Sequence, residues 1–227
     1  MPFEDTEAVF RKCCGGLQNR LRRVPDGETG ERNYFVQFQA AWFMAAPEMI
    51  PDFKMNSALV SKDYTPEQVH AAIEKIKNSS METGYDEHAI ASYAIFKKLR
   101  EEGVIPRGIK FQVSIPTHIN AMLGFVQTAF QPAVEPLYKE SIFRAMRKIQ
   151  DNIPHEDLAI QIDVASEYFF MENMQMFRPW FYNDDKDFDK RKEYMYDYII
   201  EQIRQVDQDV ELGLHNCYGM MALCGMP

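Results

Sequence analysis

Four short strand-like runs, separated by long helical stretches, restrict this chain more than any other feature. They read as strands over 17–24, 108–115, 158–164 and 210–216. Strands this far apart in sequence do not form hairpins. A long crossover that carries a helix joins parallel neighbours. The expected class is α/β, with about four to five parallel strands and flanking helices. The run LAIQIDVA shows the pattern most clearly. Ile160, Ile162 and Val164 face one way, and Gln161 and Asp163 face the other.

Helical spacing accounts for the stretches between. Residues 4–15 are expected to be helical, with Gly15-Gly16 as the stop. The stretch 33–46 places Tyr34, Phe38, Ala41 and Trp42 on one face, and 52–60 reads as a short strand pair. Thr65-Pro66-Glu67-Gln68 is a strong helix start, with a cap residue, a proline at the first position and a glutamine at the third. Further helices are expected over 85–102, 135–150 and 187–206. No repeat or linker divides the chain, so 1–227 is expected to be a single domain.

Composition narrows the class of partner. A formal net charge of −9 argues against nucleic acid. No apolar run is long enough to span a bilayer, and the acidic start MPFEDTEAVFRK does not read as a signal peptide. Cys13, Cys14, Cys217 and Cys224 lack the density of a disulfide scaffold. Reduced thiols and a cytoplasmic location are expected.

Polar residues gather at the C-terminal ends of the expected strands, where parallel α/β folds build their sites. PDGETGER sets Asp26, Glu28, Glu31 and Arg32 around two glycines. It is either an ordinary turn or a ligand loop. After the second strand, Thr117 could cap a helix. His118 could be a ligand or base, with a satisfied surface histidine the blander alternative. Gln161 and Asp163 share a face, with Glu167 just beyond; a structural network and a binding site are equally good readings. His215 and Cys217 share a strand face near the end. They are either packed core or two of the three or four ligands that zinc requires. Cys224, Asp163, Glu167 or a second chain would then complete the set.

Taken in order, RRVPDGETGER, IKFQVSIPTHIN, DLAIQIDVASEYF and VELGLHNCYG resemble the superfamily of uroporphyrinogen decarboxylase and cobalamin-independent methionine synthase. The likeness is strongest to the methionine-synthase-like proteins of fungi and runs from about Glu7 to Gly219. It implies an eightfold α/β barrel, of which this chain would hold about half, truncated at both ends. It also implies a zinc-binding His-x-Cys pair at His215 and Cys217, and a substrate-binding aspartate at Asp163. The family's remaining zinc ligands, a glutamate and a second cysteine, lie on later strands. The resemblance therefore implies zinc as the candidate cofactor, with an incomplete site.

The function it implies is a small-molecule tailoring enzyme, of group-transfer or lyase type, in secondary metabolism. Asp163 and Glu28 would bind or protonate the substrate, and Asp26, Arg32, Thr117 and Gln161 would contact it. A decarboxylase-like variant without metal would use Arg32 and Asp163 on an acidic substrate. The alternative is a non-catalytic half-barrel that binds a partner. A homodimer could cover the open sheet edges that four strands leave.

Overall fold

The computed structural model describes residues 3–17, 20–33, 36–50, 63–171, 179–181 and 188–217. Four strands form one parallel sheet: β1 (Arg23–Pro25), β2 (Lys110–Pro116), β3 (Leu158–Val164) and β4 (Glu211–Asn216). Their order in the sheet is their order in the chain. Among the described residues eight α-helices accompany them: α1 (Thr6–Leu17), α2 (Ala40–Phe43), α3 (Pro66–Lys77), α4 (Tyr85–Glu101), α5 (His118–Leu123), α6 (Gln131–Asn152), α7 (Ser166–Met171) and α8 (Phe188–Ile203).

The alternation along each strand divides the sheet into two unlike faces. Pairing aligns Phe111 with Leu158, Val113 with Ile160, and Ile115 with Ile162. These side chains are buried and face the helices. Parallel neighbours joined in chain order by crossovers of one hand carry their helices on one side. Here α1 packs on α4 and β1, and α4 packs on β2 and α6. Phe10 meets Phe96 and Phe111 edge-on at this junction, with centroids 5.6 Å apart for Phe10–Phe96 and 6.1 Å for Phe10–Phe111. The opposite face carries Gln112, Ser114, Gln161, Asp163, Gly213 and His215 in register.

Several sequence expectations are corrected. The first strand is three residues long, Arg23–Pro25, with Val24 as its buried residue. Helix α1 passes through Gly15-Gly16 and ends at Leu17. No single helix spans 33–46. Over the described residues there is a 3₁₀ turn at Gln37–Gln39 followed by the one-turn α2. Gln39 explains the tight path. Its buried amide donates to the Thr83 carbonyl at 2.7 Å and accepts from the Tyr138 hydroxyl at 2.8 Å. The strand pair expected at 52–60 lies outside the described residues. The capping box at Thr65 forms as expected, with both reciprocal bonds present. No helix among the described residues is long and apolar enough to cross a membrane.

Candidate functional site

The loop after β1 folds around one carboxylate. Asp26 is buried and accepts three hydrogen bonds: from Arg32 Nη2 at 2.5 Å, Ser92 Oγ at 2.7 Å and the Glu28 backbone N–H at 3.0 Å. Two residues take left-handed backbone to make the turn. Gly27 has φ 81°, and a Cβ there would lie 2.7 Å from Val9 Cγ2, so glycine is required on both counts. Glu28 has φ 48°, a strained conformation for a residue with a side chain. The strain is held by the Asp26 hydrogen bonds on either side, and it delivers the Glu28 side chain to an open cleft.

That cleft has a volume of about 430 Å³, in the range of small-molecule sites. It lies over the C-terminal ends of β1, β3 and β4 and the middle of β2. Asp26, Glu28, Arg32, Gln112, Ser114, Gln161, Asp163, His215 and Cys217 all line it, beside Tyr85 and Ala89 of α4. Burial pushes the Glu28 carboxyl up to about 7; Arg32 opposes the shift, and Asp26 and Asp163 add to it. Its side chain has no hydrogen-bond partner among the described residues.

Across the cleft, Asp163 Oδ1 accepts from Gln161 Nε2 at 2.8 Å and lies 3.1 Å from His215 Nδ1. Asp163 is also raised from the ordinary aspartate value, by burial, with the contacts to Gln161 and His215 holding it back. An ionised carboxylate only accepts, so it fixes the imidazole hydrogen on Nδ1. The lone pair of the neutral ring is then on Nε2.

Asp26, Glu28, Arg32, Gln161, Asp163, His215 and Cys217 therefore come together. Thr117 does not. It is fully buried, donates to Glu167 Oε1 at 2.5 Å and caps α5 by accepting from the Asn120 N–H at 3.2 Å. Glu167 is committed there too, accepting from the Tyr198 hydroxyl at 2.8 Å and the Ala165 N–H at 2.9 Å. His118 is no surface residue. It is fully buried at the start of α5, with Nε2 3.1 Å from Glu135 Oε1. The whole of α5 is buried, which draws His118 inward and away from the cleft.

Zinc does not fit the described donor set. His215 and Cys217 supply two donors where three or more are needed. Asp163 already serves His215 and Gln161. Among the described residues no group of three or more His, Cys, Asp or Glu side chains is placed to hold a metal ion. Cys224 lies outside the described residues.

Gln112, Ser114 and Ser92 belong to the site and went unread in the sequence. The signal for two of them was present. In KFQVSIP, Gln112 and Ser114 alternate with buried apolar residues just as Gln161 and Asp163 do. Ser92, 66 residues from Asp26, left no local signal.

No protein-family model, curated protein or solved structure matches this chain.

Proposed function

We propose that this protein is an enzyme of proton-transfer chemistry on a small molecule, of lyase or group-transfer type. The observation that carries the reading is the pairing of two proton-handling groups on one cleft. Glu28, held near neutrality by burial, is the acid. His215, oriented by Asp163, is the base. A catalytic pKa near working pH gives the best compromise between protonation state and driving force. Asp163 is a positioning residue in this scheme, acting through the imidazole. Asp26 and Arg32 neutralise each other and hold the loop that presents Glu28.

The resemblance to the methionine-synthase-like barrels supports the same face of the sheet as the working face, and a tailoring step in secondary metabolism as the setting. The four parallel strands in chain order suit half of such a barrel. On this reading the cytoplasm is the working compartment.

The test is a depletion screen. The purified protein is incubated with a complex metabolite mixture, and losses are followed by mass spectrometry against Glu28→Gln and Asp163→Asn. Loss of one compound with wild type and with neither variant supports the proposal. Equal loss with all three, or no loss, contradicts it. A chelator control separates this chemistry from zinc-dependent transfer, since the proposed steps need no metal.

One observation favours the second reading, a non-catalytic half-barrel that binds a partner or a second copy. Strand β4 is paired to β3 alone among the described residues, and its Leu212 and Leu214 are 42% and 49% exposed. Light scattering of the purified protein tests the homodimer directly.

A further inference from the structure

The floor of the cleft contains a hydrogen-bond ladder whose polarity is set from one end. Asp163 Oδ1 accepts, so the group facing it at 2.8 Å is the Gln161 amide nitrogen. The Gln161 carbonyl oxygen therefore points the other way, and it accepts from Gln112 Nε2 at 3.2 Å. Ser114 Oγ receives both amides, Gln112 Nε2 and Gln161 Nε2, each at 3.3 Å.

Two capacities are left over. Gln112 Oε1 is an acceptor with no donor among the described residues. The Ser114 hydroxyl hydrogen is a donor with no acceptor, since its oxygen already serves two amides. Both side chains line the cleft and are half-buried. They sit two residues apart on β2, and Gln112 Nε2 already lies 3.3 Å from Ser114 Oγ. The free acceptor and the free donor are thus within reach of one small functional group.

The charges of the walls restrict that group further. Arg32 is the one guanidinium among the described residues that line the cleft, and it is bound to Asp26 at 2.5 Å. Arg23, on the same face but outside the residues that line the cleft, pairs with Glu211 through Nε at 3.3 Å, and its Nη1 lies over Gly213 without a hydrogen-bond partner among the described residues. Glu28 and Asp163 remain as the acidic groups facing the space. A carboxylate or phosphate entering here would meet Glu28 and Asp163, and the described residues that line the cleft offer it no unpaired guanidinium or ammonium.

We propose that the cleft recognises a neutral ligand by a carboxamide- or lactam-like edge, one donor beside one acceptor, read by Gln112 and Ser114. Carboxylates and phosphates are turned away. This rests on the cleft being the working site, and it names the class of ligand. Gln112 and Ser114 are specificity residues; Gln161 and Asp163 hold them in one orientation.

Three planar probes of nearly one shape test it: benzamide, benzoate and benzamidinium. They present, in turn, acceptor with donor, two acceptors with a negative charge, and two donors with a positive charge. Binding is followed by ligand-observed NMR and by the side-chain amide resonances of Gln112 and Gln161. Benzamide is expected to bind most tightly and to shift both amides. Ser114→Ala and Gln112→Met are each expected to weaken it about three- to tenfold, the cost of one hydrogen bond. Thermal melting of each variant confirms that it is folded.

Tightest binding by benzoate overturns the proposal, and so does tightest binding by benzamidinium, which would make the cleft a simple acidic attractor. Failure of all three to bind overturns the ligand class. The depletion screen then decides independently whether the cleft is an active site, so the two readings fail separately.

Discussion

At the scale of single residues, Glu28 carries the proposed chemistry. Its backbone is strained and its carboxyl is partly buried, both costs to the fold. Such costs concentrate where a side chain has a task. The consequence for stability has a definite sign. Glu28 titrates near 4.5 when unperturbed and near 7 when folded. Between those values the folded chain keeps a proton that the unfolded chain releases, so stability falls as pH rises through the interval. Glutamine has no such linkage. Glu28→Gln is therefore expected to be more stable than wild type near pH 8, by on the order of 1–3 kcal/mol, and to lose that advantage near pH 4. Denaturant melts at the two pH values measure this. An advantage equal at both would show that the carboxyl is not perturbed. The sequence showed Glu28 in a turn with two glycines, but not its burial, which needs α1 and Val9 packed against Gly27.

At the scale of elements, two threonine caps that look alike in sequence have different weights. Thr65 caps the exposed start of α3. Thr117 caps α5 in the interior and also holds Glu167. Thr65→Ala is expected to cost about 1 kcal/mol, an ordinary cap loss. Thr117→Ala is expected to cost about 2–4 kcal/mol, because a buried carboxylate also loses a donor. Urea unfolding of the two variants makes the comparison. If Thr117 bound substrate instead, its variant would keep wild-type stability and lose turnover alone. The sequence could not tell these caps apart, since burial of α5 comes from its packing on α6. The strands were legible because alternation records which face is buried. The one-turn α2 was not, because Gln39 is fixed by Thr83 and Tyr138, which lie far along the chain.

At the scale of the whole molecule, chain-order strands with helices on one side leave the other face free for polar residues. That single asymmetry gathers the PDGE loop, the Gln161–Asp163 strand and His215 on one cleft. Strand-end polarity in the sequence was enough to foresee the gathering. It was not enough to foresee the carboxylate that orients His215, which depends on the β3–β4 register that sets Asp163 directly beside it. In the proposed mechanism, an acid held near neutrality shares the cleft with this oriented histidine. The most direct test is a carbon NMR pH titration of the Glu28 side-chain carboxyl in the folded protein, assigned by its loss in Glu28→Gln. A midpoint at about 7 is the result expected. A midpoint near 4.5, the ordinary glutamate value, would remove the acid from the mechanism and contradict the account.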